Sequence, residues 1–199
     1  MKNYTSVTKI KNYLSIDIAP ELETQVEEWI ASMEDYIDGY TGRNFKADID
    51  ASVKKYEVEK RYDTFGTRPV LGLFIDDCVT VSELKIDDVL IPNTEYLLYP
   101  INSLPITRIK IKKNSNYYFT VGEQNISVKA KWGYSVAVPE DIEFACTVLV
   151  AGIINYSKKG VGEIASEALG NYSVSYKTEK EWQDFNRTKE ILNNYVKLL

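Results

Sequence analysis

Apolar residues recur at helical spacing in two blocks near the start of the chain and two near its end; between the blocks they alternate. Val7, Ile10 and Leu14 share one side of a short segment that Ser6 or Thr8 can cap. From about Pro20 to Gly39, Leu22, Val26, Ile30 (or Trp29), Met33 and Ile37 fall on one helical face. Proline at the start and Gly39 or Gly42 at the end suit a helix from Pro20, because an N-terminal N–H is unpaired there and glycine adopts the closing turn. From Val53 to Tyr134 the period becomes two. It predicts strands at Lys54–Tyr62, Val70–Ile75, Val79–Ile86, Glu95–Tyr99, Ile106–Lys112 and Gln124–Tyr134. Turn signals separate them at Phe65-Gly66, Ile91-Pro92-Asn93, Ile101-Asn102-Ser103, Asn114-Ser115-Asn116 and Gly122.

The last predicted strand runs through Trp132-Gly133-Tyr134 into Val138-Pro139-Glu140-Asp141-Ile142 and a third helix. Glu140, Asp141 and Glu143 favour its start electrostatically. Its body, from Phe144 to Tyr156, is apolar almost all round, so it is expected to be buried in a core or between subunits. It is too short to span a bilayer and begins with acids, which speaks against a membrane role. Residues 158–170 read as loop with helical character around Glu163–Leu169, and Tyr172–Lys177 as a short strand or extended segment. A final helix is predicted from Glu179 to Leu199. The fold class is therefore α+β: a small helical bundle carrying an inserted antiparallel β subdomain. The expected division is N-terminal helices over 1–52, a β insertion over 53–134, and an apolar helix, loop and C-terminal helix over 135–199.

Composition narrows the function. A length of 199 residues suffices for one cored domain with an insert. The net charge of −5 argues against gripping nucleic acid as the main task. No apolar run of the signal-peptide kind follows Lys2, Lys9 and Lys11. Histidine is absent, which removes the commonest general base and metal ligand. Cys146, inside the apolar helix, reads as a small buried hydrophobe, and a bond to Cys78 is not expected. The 15 tyrosines suit either protein interfaces or a β-rich domain.

Several constellations carry two readings each. Arg108, Lys110 and Lys112 share one face of one strand, and Lys129 and Lys131 one face of another. If those strands pair, five cations lie together, ready for DNA phosphates or an acidic partner; otherwise they are a solvated outer face. The other side of the Pro20 helix carries Glu21, Glu23, Glu27, Glu28, Glu34, Asp35 and Asp38, which would either line a channel or simply face solvent. Asp76-Asp77 and Asp87-Asp88 lack calcium-loop spacing and read as turn-flanking acids. Gly160-Val161-Gly162 lacks the context of a phosphate loop and reads as a flexible joint. Arg43, just past a helix end, can bond the last helix carbonyls or a carboxylate, as an internal tie or as a partner contact. In the last helix Trp182, Phe185, Leu192, Val196 and Leu199 form a stripe that packs on its own domain or docks on a neighbour. No acid–base pair converges, so no catalytic residue, metal ligand or cofactor is assigned.

Three segments carry a resemblance. Trp132-Gly133-Tyr134 with Val138-Pro139-Glu140-Asp141-Ile142, the run Tyr40-Thr41-Gly42-Arg43-Asn44-Phe45, and the loop from Ser166 to Tyr176 follow one another as in tailed-bacteriophage head–tail connector proteins, also called adaptors or head-completion proteins. The resemblance implies a non-enzymatic virion protein at the head–tail interface, assembled in the bacterial host cytoplasm. It implies a ring of about a dozen copies beneath the portal. DNA would only pass through the channel, and a stopper or tail-completion protein would dock below. Adaptors of this kind engage the portal through C-terminal segments, so Tyr172, Tyr176, Trp182, Phe185, Leu192 and Val196 become the candidate partner interface. A flexible 158–177 segment would order when the partner binds. Because Arg43 falls on the matched Tyr40–Phe45 run, the resemblance favours reading it as an internal structural tie. The alternative is a small nucleic-acid-binding module using the basic sheet face.

Overall fold

The computed structural model describes residues 2–58, 71–158, 166–169, 172–175 and 179–197, with backbone alone for 156, 158, 166–169, 172–175 and 179–182. The chain divides into two compact units, one formed by Met1–Phe45 with Val138–Leu199, the other by Lys46–Ala137.

The first unit is helical. Helix α1 (Val7–Leu14) is capped by the Ser6 side chain, which accepts from the Lys9 N–H. Helix α2 (Pro20–Thr41) starts with proline in its first turn and stops at Gly42, whose φ of 68° is left-handed and whose N–H bonds the Asp38 carbonyl. Val26, Ile30, Met33 and Ile37 form its buried face, at the spacing the sequence predicts. Helix α3 (Glu140–Lys158) is the centre of the unit: α1, α2 and α4 (Glu179–Tyr195) all pack on it. Burial of the continuous run Ala145–Ala151 follows from that position. Two short strands, β7 (Ser166–Leu169) and β8 (Tyr172–Ser175), pair antiparallel. Loop with helical character was the expectation around Glu163–Leu169; cross-strand pairing with Tyr172–Ser175 overrides the local preference there. The Gly160–Gly162 joint lies outside the described residues.

The second unit is an antiparallel sheet of strands β1 (Ser52–Val58), β2 (Gly72–Ile86), β3 (Val89–Leu90), β4 (Tyr96–Tyr99), β5 (Ile106–Ile111) and β6 (Gly122–Trp132). Its order is β1-β6-β2-β5-β4, with β3 folded back on β2. Asp87 and Asp88 make the β2–β3 turn, both at positive φ (50° and 63°), the backbone that two-residue hairpin loops need. Asp76-Asp77 is different. Two strands were predicted to flank it, yet β2 runs through it unbroken. Bulges near Phe74–Cys78 and Cys78–Thr80 absorb the change of phase. Asp76 is held in place because its carboxylate accepts from Lys54 Nζ (2.8 Å) and its N–H bonds the Tyr56 hydroxyl (3.2 Å).

One face of this sheet is the core. Leu73, Ile75, Leu84, Ile86, Ile109, Ile111, Ile126 and Val128 cluster there with the buried Phe119 and Trp132. Gly133 closes the strand at φ 136°, where a Cβ would sit 2.5 Å from the Ala47 backbone; only glycine lets residues 46–48 pass beside Trp132. Asp48 N–H then bonds the Trp132 carbonyl (2.8 Å), and Gly133 N–H the Asp77 carbonyl (2.7 Å).

Candidate functional site

The chain offers two kinds of polar and aromatic grouping, one closed on itself and one open to solvent.

The closed grouping lies in the helical unit around Tyr40–Phe45. Phe45, fully buried, meets Tyr4 and Tyr195 edge-on, at ring-centroid distances of 6.0 and 5.1 Å. The Tyr4 hydroxyl donates to Asp38 Oδ1 (2.6 Å) and accepts from the Phe45 N–H (2.8 Å). Burial, followed by the Asp38 contact, raises the Tyr4 pKa, so the phenol stays protonated. Glu34, itself buried, accepts from the backbone N–H of Tyr4 (2.7 Å) and of Lys2 (2.9 Å). Arg43 Nε donates to the Tyr195 carbonyl (2.7 Å), and the Lys197 N–H to the Thr41 carbonyl (2.8 Å). The Tyr195 hydroxyl reaches Asp141 at the start of α3 (2.9 Å). The motif thus binds the ends of α2 and α4 and the N-terminal segment into one network.

This network divides the acidic side of α2. Glu34 and Asp38 turn inward, and Asp35 pairs with Lys2 (2.7 Å). Glu23 pairs with Lys11 (2.8 Å). Glu21, Glu27 and Glu28 stay exposed and make no hydrogen bond or ion pair among the described residues.

The C-terminal candidates separate too. Phe185 and Leu192 are fully buried within the helical unit, so the stripe packs on its own domain at those positions. Val196 follows the helix and is 38% exposed. Tyr172 lies in β8 and Trp182 in α4, where backbone alone is described, and Tyr176 lies outside the described residues.

The five basic residues do not form one patch. Strands β5 and β6 do not pair, because β2 runs between them. Arg108 and Lys110 lie opposite Phe74 and Gly72 at one end of β2; Lys131 and Lys129 lie opposite Thr80 and Glu83 towards the other. A stretch of β2 on the order of 20 Å long separates the two groups. Lys112 is exposed just beyond β5.

The open grouping surrounds Arg108, and sequence alternation alone did not single it out. Phe74 stands on the solvent side of β2 and is 72% exposed. The Arg108 guanidinium lies over its ring, 5.3 Å from the centroid. Gly72 makes room for it: a Cβ there would meet Arg108 Nη2 at 2.9 Å. Arg108 Nε is buried yet has no acceptor among the described residues. Lys110 and the exposed Leu97 sit opposite each other on the same side, and Tyr99 is the neighbour of Arg108 on β4. The signal available in the sequence was the single aromatic out of phase with Leu73 and Ile75, but only the register to β5 brings it to Arg108.

Nothing in either grouping resembles reaction machinery. Among the described residues, no group of three or more cysteine and acidic side chains is placed to hold a metal ion. Cys78 and Cys146 are free and buried, and burial pushes the Cys78 thiol up to about 12, far from a reactive thiolate. No helix among the described residues is long and apolar enough to cross a membrane.

A family model described as head completion protein matches residues 3–198. Among solved structures, a chain from the neck of a native GTA particle, computed with C12 symmetry, is similar with a TM-score of 0.58 and 11% identity, covering 100% of this chain and 92% of that one. A chain from the neck of an empty GTA particle, computed with C6 symmetry, also has a TM-score of 0.58, with 13% identity over 100% of this chain and 93% of that one. At such identities the likeness concerns the fold. No curated protein matches the chain.

Proposed function

Because the chain belongs to the head completion protein family, we propose that it is a structural connector at the head–tail junction of a tailed phage or phage-like particle, and that it performs no catalysis. The observation that carries this reading is the family match over residues 3–198, helical unit and sheet unit together. Support comes from chains of the same fold in particle necks that were computed with C12 and C6 symmetry.

In this reading several copies close into a ring beneath the portal. The ring extends the DNA channel and presents a platform for a stopper or tail-completion protein, and DNA only passes through. The working part is geometry. In the helical unit α3 is buried on several sides, and the Tyr4–Phe45–Tyr195 network ties the segments around it. The sheet unit presents an open outer face at Phe74 and Arg108. Of the C-terminal candidates, Tyr172, Tyr176, Trp182 and Val196 remain proposed portal contacts, whereas Phe185 and Leu192 support α4 from within.

The test is an amber or deletion variant of the gene in its phage or prophage, with particles imaged by electron microscopy. The expected product is DNA-filled heads without tails, restored when the chain is supplied in trans. Normal tailed particles without the chain would end the connector reading.

A further inference from the structure

Given the ring of copies proposed above, we infer that the Phe74–Arg108 face of one copy receives the exposed acidic start of α2 of the next. The face is built rather than incidental. Phe74 and Gly72 fix the Arg108 guanidinium, and its buried Nε–H lacks an acceptor among the described residues. A guanidinium held over Phe74 recognises a carboxylate through its terminal nitrogens, Nε itself being buried, and the adjoining Phe74 and Leu97 ask for an apolar neighbour beside it. An exposed phenylalanine beside a half-buried arginine also has the composition enriched in protein interfaces.

The same chain carries the complement. Glu21, Leu22, Gln25 and Glu28 are exposed on α2, and Leu22 is 48% exposed between the acids. Helix α2 contains no lysine or arginine, and neither Glu21 nor Glu28 is paired among the described residues. An acidic helix face with one leucine thus matches a basic sheet face with one phenylalanine. Two different complementary patches on one chain give head-to-tail contacts, which close into a ring when the rotation per copy allows.

DNA fits this face less well. Arg108 and Lys110 are interleaved with apolar side chains, and Lys129 and Lys131 lie farther along β2, so no continuous track of cations follows a phosphate backbone.

The experiment uses native mass spectrometry of the full chain, alone and with the portal ring of the same phage or prophage. Wild type should give multimers. Arg108→Glu with Lys110→Glu should lower their population about tenfold or more without changing the thermal midpoint. Adding Glu21→Arg and Glu28→Arg to that same chain should restore them. Phe74→Ser, at an exposed site the fold tolerates, should weaken them as well. If the double reversal and Phe74→Ser leave wild-type multimers intact, this contact is wrong while the ring stands. Loss without restoration would remove α2 as the occupant. A salt-sensitive shift of labelled DNA, abolished by the reversal while multimers persist, would assign the face to nucleic acid instead. A wild type that stays monomeric both alone and with the portal would remove the ring itself.

Discussion

In the helical unit Tyr4 is buried and its hydroxyl has both an acceptor in Asp38 and a donor in the Phe45 N–H; in the sheet unit Phe74 stands in solvent beside an arginine whose Nε has no acceptor among the described residues. The first arrangement spends every polar group on its own chain. The second leaves aromatic area beside a held guanidinium for something else. The difference teaches where to look for partners. The run Tyr40–Phe45, one of the three segments that carry the family resemblance, turns out to hold the unit together, with Arg43 bonding the end of α4. A residue that serves a recognisable internal tie is a poor candidate for an external contact, and the outer sheet face is a better one.

The sharpest way to break the contrast is to cut the closed network at its aromatic centre. Phe45→Ala removes a fully buried ring that touches Tyr4 and Tyr195, and should cost about 3–5 kcal/mol in a urea unfolding series. A loss below 1 kcal/mol would show that the network is not the structural centre of the unit. Next in size, Tyr4→Phe leaves the buried Phe45 N–H and the Asp38 carboxylate short of a partner, and Glu34→Ala orphans two backbone N–H groups. Each should cost about 1–3 kcal/mol by the same measurement. Arg43→Ala, which removes one half-buried bond to the Tyr195 carbonyl, should cost about 1 kcal/mol.

Titration distinguishes the two regions by sign. Burial raises the Asp38 pKa above its ordinary value of 3.8, with Lys2 and Tyr4 only partly opposing it. Between the ordinary and the raised value the native state binds more protons than the unfolded chain, so this group's contribution to stability falls as pH rises through that window. Asp87 in the sheet unit moves the other way, because Thr120 and Asn125 donate to its carboxylate. Its contribution is present above 3.8 and is lost as pH falls below it. Carboxyl-carbon NMR should find Asp38 titrating above Asp87; the reverse order would contradict the burial assigned to Asp38. The smallest expected effect is that of Phe74→Ser on folding, within about 0.5 kcal/mol, because the ring is already in solvent.

Much of the architecture was legible in the chain. The four-residue and three-residue steps through Val26, Ile30, Met33 and Ile37 gave the buried face of α2, and Gly42 its end. The apolar body after Pro139 gave α3, and strict alternation from Ile126 to Trp132 gave the core side of β6. What stayed hidden depends on distant pairing. Asp76-Asp77 looks like a turn until Lys54 and Tyr56 of β1, two places away in the sheet, satisfy Asp76. The Ser166–Leu169 strand exists because Tyr172–Ser175 pairs with it. Glu34 looks like one more solvent-facing acid, and nothing local marks it as the acceptor for Tyr4, thirty residues earlier. Likewise the five cations read as one strip only while β5 and β6 are allowed to pair; the strand order places β2 between them.

The connector reading is tested most directly by native mass spectrometry of the full chain mixed with the portal ring of the same phage or prophage. The account predicts stoichiometric addition of a complete ring of this chain to the portal. A chain that stays monomeric, with the portal ring unaltered in mass, would contradict it.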